Sequence, residues 1–287
     1  LLTTACISGL KMHDHELPLV YFHVLAKDKA KVLPYWLEQN LDNLDYPRDK
    51  IILSFRTNNN NDDTAAIIDE WIHEQPIRAA QGYESDARLF QWRATWFNDE
   101  DVSEQVQRFG VHEWNAERFD VLAKLRQEGI QDAKDMGAHY FVCDVDNFLL
   151  PDTLRTLVEA NRPVIAPILR YAVAEGEEDH AGYSNYHHPV TATGYFQNSD
   201  KYFALLNGIV RGIKEVDLVH CTYLVDHKVL GKTDYFDGTN DYEYVRVARN
   251  WRKNGVPQYL DNRQIYGYLT LHENVDACKY WMGKLTK

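Results

Sequence analysis

Apolar positions along the chain alternate between short continuous runs and stretches of helical spacing. Residues 17–26 are rich in apolar and aromatic side chains and predict a buried first strand. Val32, Leu33, Trp36, Leu37, Leu41 and Leu44 recur at helical spacing, with Pro34 in the first turn, where proline is tolerated. Residues 51–55 form a second apolar run, ending in the polar loop 57–63. A helix through Ala65, Ile68, Trp71 and Ile72 follows. This β-α-β-α order is the signature of an α/β chain with a mostly parallel, doubly wound sheet and helices on both faces. Residues 76–115 lack a clear period and read as an irregular insertion. A helix is expected over 116–136, with Phe119, Leu122, Leu125, Gly129 and Ala133 on one face, and a buried strand over 139–143. Pro151 and Asp152 open another helix, and 164–169 is a further buried strand. A polar, aromatic-rich region over 170–200 follows. The pattern ends with a strand over 216–225, a helix over 241–253 and a short strand over 258–260. No repeat or linker interrupts it. Residues 1–16 read as a lead-in, its first residues a signal remnant or appended segment, and 17–287 as one domain.

Charge narrows the partners. Lys and Arg number 31 against 43 Asp and Glu, a formal charge of −12, which argues against a nucleic-acid binder with its basic stripe. An acidic protein that handles an anionic nucleotide needs a locally positive site, most simply a divalent cation. Cys6, Cys143, Cys221 and Cys278 form no CxxC pair, and Cys143 and Cys221 lie in apolar runs, as buried unbonded thiols do. No stretch approaches the ~20 apolar residues needed to span a bilayer.

The chemistry concentrates at Asp144-Val145-Asp146, directly after the 139–143 run. Ligands of open α/β sheets bind at the carboxyl ends of strands. Paired carboxylates there suit Mn²⁺ or Mg²⁺, which take oxygen ligands and share them with phosphate and water. The same pair also serves as turn and cap aspartates, and the motif alone leaves both readings open.

The surrounding segments carry more. Arg118-Phe119, Lys124-Leu125-Arg126-Gln127 and Asp144-Val145-Asp146-Asn147-Phe148-Leu149 resemble the collagen β-galactosyltransferase (procollagen galactosyltransferase) family. Val24 to Lys27 with Lys29-Ala30 and Leu33-Pro34-Tyr35, Leu44-Asp45-Tyr46-Pro47, Val164-Ile165-Ala166-Pro167, Tyr183-Ser184-Asn185, Val219-His220 and Tyr266-Gly267-Tyr268-Leu269 match further segments in order. The resemblance spans about residues 20–269. It implies a GT-A glycosyltransferase fold and inverting, metal-dependent transfer of galactose or glucose. The donor would be UDP-galactose or UDP-glucose, and the acceptor a hydroxyl of a collagen-like peptide or a glycan. It implies the endoplasmic reticulum or Golgi lumen for a eukaryotic member and the cytoplasm for a viral or bacterial one. The chain departs from the family's pattern at Lys27-Asp28, at Asn58-Asn59-Asn60 and at Tyr242.

By resemblance to GT-A enzymes, Asp146 would ligate the metal, Asp144 would share metal and ribose, and His272 would be the third ligand. Glu243 would be the base that takes the acceptor proton, with Asp241 in reserve in the same first helical turn. Ala26, Lys27, Thr57 and Asn58, at the ends of the first two strands, would meet the nucleotide. Lys124 and Arg126 would face the diphosphate. His220 reads as a structural or donor-contacting histidine within a strand, and the aromatic stretch 183–188 as a sugar-stacking or packing loop. The His13–His15 and His187–His188 groups read as solvent-exposed. Two other functions stay in view: a nucleotide-sugar-binding or chaperone-like module without turnover, and a metal-dependent hydrolase.

Overall fold

A computed structural model describes residues 12–81, 91–104, 106–108 and 113–286. The signal-remnant reading of the first residues, and Cys6, lie outside them. Thirteen strands are present among the described residues: β1 (Val20–Ala26), β2 (Ile51–Thr57), β3 (Ala94–Asn98), β4 (His139–Cys143), β5 (Asn147–Leu149), β6 (Val164–Pro167), β7 (Leu169–Tyr171), β8 (Tyr186–His187), β9 (Ile213–Val216), β10 (Leu218–Val219), β11 (Thr222–Val225), β12 (Gln258–Asp261) and β13 (Gly267–Leu269). The α-helices are α1 (Leu33–Leu37), α2 (Thr64–Gln81), α3 (Ala116–Asp135), α4 (Thr153–Glu159), α5 (Asp200–Leu206), α6 (Glu243–Lys253) and α7 (Val275–Leu285).

Eight strands make the main sheet in the order β3-β2-β1-β4-β11-β6-β12-β9. β3, β2, β1 and β4 are mutually parallel, and β11 runs against both β4 and β6. β6 is parallel to β12, and β9 closes the far edge antiparallel. The carboxyl ends of β1, β2, β4, β6 and β12 therefore share one edge. Side-chain alternation gives each face its own core. Phe22, Val24, Phe141 and Leu224 pack on one side with Trp36 of α1, Trp71 of α2, Leu154 of α4 and Met282 of α7. Tyr21, Tyr140, Val142 and Tyr223 pack on the other with Ile130 of α3, Leu205 of α5 and Trp251 of α6. This is the expected doubly wound architecture. A three-stranded sheet, β5-β13-β7, flanks the same edge.

α3 approaches β1 closely because it carries Gly129. A Cβ there would lie 2.2 Å from His23 Nδ1, an overlap only glycine avoids. His23 is buried on β1 with Tyr140 Oη 3.1 Å away, and burial holds its pKa down at about 3, so it is neutral.

The structure corrects several expectations. Residues 76–115 are not wholly irregular: α2 runs to Gln81, and β3 extends the sheet beyond β2. The 164–169 run divides at Ile168 into β6 of the main sheet and β7 of the small one. The 216–225 run divides into the end of β9, then β10 and β11, the second break falling where Cys221 adopts a left-handed φ of 64° that no strand continues through. His220 consequently lies between strands. The helix expected over 241–253 is α6 and begins at Glu243, with Tyr242 as its N-cap, so Asp241 stands outside it. Cys143, Cys221 and Cys278 are unbonded, and Cys221 is half-buried rather than buried.

Candidate functional site

Ala26 and Thr57 are register partners at the carboxyl ends of β1 and β2, both buried. The β1–α1 and β2–α2 loops are locked to each other beyond them. Asp28 N donates to Asn60 Oδ1 at 3.0 Å, Asn61 N to Asp28 Oδ1 at 2.6 Å, and Lys29 N to Thr64 Oγ1 at 2.7 Å. Lys27 turns its ammonium onto Asp28. Asn58 is buried and donates to Asn59 Oδ1 at 3.1 Å, while Asn59 Nδ2 is buried without a partner.

One strand over, β4 ends at Cys143, and the chain turns through Asp144, Val145 and Asp146 into β5. The turn is fixed from three sides. Trp36 Nε1 donates to Asp144 O at 3.0 Å, Asp144 N donates to Cys221 O at 3.0 Å, and Thr270 N donates to Asp146 O at 3.0 Å. Because the strand stops here, the two carboxylates meet different cations. Asp144 Oδ1 accepts from Arg126 Nη2 at 2.9 Å, and Asp146 Oδ2 lies 3.5 Å from Lys29 Nζ. Lys29 also reaches Glu273 Oε1 at 3.2 Å, placing an ammonium between two carboxylates. Burial pushes the Asp146 carboxyl above the usual range, against the pull of Lys29.

Arg126 faces inward from α3, whereas Lys124, two residues earlier and about 200° around the helix, is exposed on the opposite side. Arg126 Nε lies 3.6 Å from Glu243 Oε1, so the guanidinium bridges Asp144 and Glu243, with side chains of Arg126 and Glu243 only 6% and 7% exposed. Burial raises the Glu243 pKa from its ordinary 4.5 even though Arg126 opposes it. Asp241 is engaged elsewhere: it accepts from Tyr195 Oη at 2.7 Å and pairs with Arg249 at 2.7 Å, contacts that lower its pKa.

Beside this array lies a buried aromatic-imidazole cluster. His220 stacks on Tyr244 with ring centres 5.0 Å apart and sits 5.1 Å from His187. His187 is therefore buried, not solvent-exposed as expected; His13 and His15 are exposed and stacked on each other, and His188 pairs with Asp217 at 3.0 Å. Arg126 Nη1, His220 Nε2 and His187 Nδ1 are buried with no hydrogen-bond partner. Buried polar atoms are nearly always satisfied, so three such atoms on Arg126, its neighbour His220 and the adjoining His187 mark a place for a polar ligand. Burial keeps both imidazoles neutral, each able to donate to or accept from a hydroxyl.

His272 lies in the loop before α7, where its Nε2 is 3.3 Å from His180 Nε2. Asp144, Asp146 and His272 do not form a trio with ligand atoms within 4.8 Å of one another. Asp144 and Asp146 nonetheless fit a hard divalent cation in kind: both offer oxygen donors and stand a quarter exposed at the site mouth, although Arg126 and Lys29 compete for them. Glu273 and His180 carried no sequence signal, since each reaches the site from a separate segment, whereas Lys29 lies in a segment of the family resemblance and His187 in the aromatic stretch 183–188.

Residues 17–277 match the family model described as "Glycosyltransferase family 25, N-terminal domain". Procollagen galactosyltransferase 1-A of Xenopus laevis is 31% identical over 261 residues, covering 88% of this chain and 39% of its own length. Procollagen galactosyltransferase 2 of Homo sapiens is 29% identical, with 88% and 39% covered. A protein named "Probable inactive glycosyltransferase 25 family member 3" from Bos taurus is 31% identical, with 89% and 41% covered. The chain thus spans about two fifths of the length of these relatives. Among solved structures, residues 1–349 of S. aureus TarS in complex with UDP superpose with a TM-score of 0.52 at 11% identity. That match covers 88% of this chain and 60% of that one, a likeness of fold.

Proposed function

The chain belongs to glycosyltransferase family 25 and has the GT-A fold, and from that premise we propose that it transfers a hexose from a UDP-sugar to an acceptor hydroxyl with inversion. The observation that carries this reading is the Asp144–Arg126–Glu243 array, buried at Arg126 and Glu243, with unpartnered Arg126 and His220 nitrogens beside it. In this reading the nucleotide lies against Ala26, Thr57 and Asn58. Asp144 and Asp146 would hold Mn²⁺ or Mg²⁺, and His272 would join them as a ligand only after its loop moved toward the pair. Such a cation would supply positive charge to a departing diphosphate.

The chain's own groups do the rest. Arg126 is anchored by two carboxylates and keeps one terminal nitrogen for phosphate or sugar oxygens. His187 and His220 hydrogen-bond sugar hydroxyls in their neutral forms. Glu243, its proton affinity raised toward the operating range by burial, accepts the proton of the attacking hydroxyl. UDP-galactose and UDP-glucose are the donors proposed, and the hydroxyl of a collagen-like peptide or glycan is the acceptor.

A second reading, a nucleotide-sugar-binding module without turnover, draws on Lys29. Its ammonium already sits between Asp146 and Glu273, where it neutralises charge that a metal would otherwise meet. The similarity to a protein named as inactive is consistent with it. Acceptor-stimulated UDP release, measured with Mn²⁺ across several UDP-sugars, separates the two: transfer supports the enzyme, and saturable binding without release supports the module.

A further inference from the structure

A second constellation lies at the opposite edge of the main sheet. His139 opens β4, whose other end leads into Asp144. Asp226 directly follows the antiparallel neighbour β11, where Val225 is the register partner of Tyr140. The turn after β11 then presents His227. At ~3.3 Å per residue, the length of β4 puts this group roughly 16 Å from the Asp144 carboxylate.

The three side chains converge. Asp226 Oδ1 is 3.2 Å from His227 Nδ1 and 3.9 Å from His139 Nδ1, and one ligand atom from each residue lies within 4.8 Å of the other two. These separations match the spacing of donors around one ion at metal–nitrogen and metal–oxygen distances of about 2.1 Å. Asp226 is buried, the His139 side chain is 12% exposed, and His227 is 45% exposed, so the group has a fixed floor and an open entrance. His227 N donates to His139 Nδ1 at 3.1 Å, which fixes that nitrogen as the unprotonated one.

We propose that His139, Asp226 and His227 bind a divalent transition cation of the zinc class, pinning the start of β4 to the turn after β11. Two nitrogen donors with one oxygen select Zn²⁺ over Mg²⁺ or Ca²⁺, which prefer oxygen shells. The ion takes the lone pair of His139 that the peptide N–H of His227 otherwise holds. The site is independent of the glycosyl-transfer reading.

The test is calorimetric titration of Zn²⁺ into the whole chain, with thermal unfolding and the visible absorption of the Co²⁺ form as second and third readouts. His227→Ala is the main variant, because the side chain is exposed and its loss should not impair folding. Asp146→Asn controls for binding at the other carboxylates. The expected result is one Zn²⁺ per chain and tetrahedral Co²⁺ absorption bands. The unfolding midpoint should rise by about 5 °C at a hundredfold excess of free ion over Kd. His227→Ala should weaken binding at least tenfold, and Asp146→Asn should leave it unchanged. Absence of stoichiometric binding, or binding that His227→Ala leaves intact or Asp146→Asn removes, overturns the proposal.

Discussion

Replacing Arg126 with methionine removes the cation that joins Asp144 to Glu243. The guanidinium is 6% exposed and sits between a carboxylate at 2.9 Å and another at 3.6 Å, so its loss strands two charges in a poorly hydrated site. Breaking a buried ion pair by deleting one partner costs roughly 3–5 kcal/mol. Two features hold the figure near about 3 kcal/mol: Asp144 is 25% exposed and can rehydrate, and Glu243 can take up a proton. For a chain of this size, ~2–4 °C of midpoint per kcal/mol translates this into a fall of roughly 6–12 °C by scanning calorimetry. Arg126→Lys keeps the charge but loses the planar fork and should recover part of the loss. The double variant Arg126→Met/Glu243→Gln removes one stranded charge and should be more stable than Arg126→Met alone, a coupling of ~1 kcal/mol or more. An Arg126→Met midpoint within about 1 °C of wild type, or strict additivity in the double variant, would refute the bridging role.

Two further outcomes follow from the same geometry. Because the folded pKa of Glu243 is raised above 4.5, the folded chain binds that proton more tightly than the unfolded chain; the resulting stabilisation is complete below about pH 4.5 and is lost as pH rises through the folded value. Glu243→Gln should therefore be more stable than wild type at pH 7 in urea titrations, with the gap closing below about pH 4.5; a gap that widens on acidification would contradict this. Gly129→Ala should destabilise by ~1–3 kcal/mol, since a Cβ 2.2 Å from His23 outweighs the ~1 kcal/mol gain in helix propensity, and a stabilised variant in thermal melts would show that α3 can retreat from β1.

What the sequence revealed depended on how local each signal was. β1, β2 and β4 were legible because each is a run buried on both faces, and the acidic pair because it ends one of them. β3 was missed because it is an edge strand whose five residues are half-buried or exposed, with Trp96 38% exposed, so it has no clear period. The breaks at Ile168 and Cys221 lie inside apolar runs, and apolarity does not record a change of sheet or a left-handed residue. Lys124 and Arg126 look equivalent in sequence, but α3 sends them to opposite sides. Lys29 reached Asp146 only through the closure of β1 against β4, and His180 reached His272 across 92 positions. No local pattern encodes such meetings.

The central claim is that Asp146 and Glu243 serve one transfer reaction at the end of β4. Its most direct test is UDP release from UDP-galactose and UDP-glucose with Mn²⁺, with and without a hydroxylysine-containing collagen peptide, for wild type, Asp146→Ala and Glu243→Gln. The wild type should show acceptor-stimulated release. Asp146→Ala should lose it together with metal dependence, and Glu243→Gln should lose it by ~10²-fold or more while still binding UDP. Unchanged turnover in either variant would show that Asp146 and Glu243 do not serve the transfer.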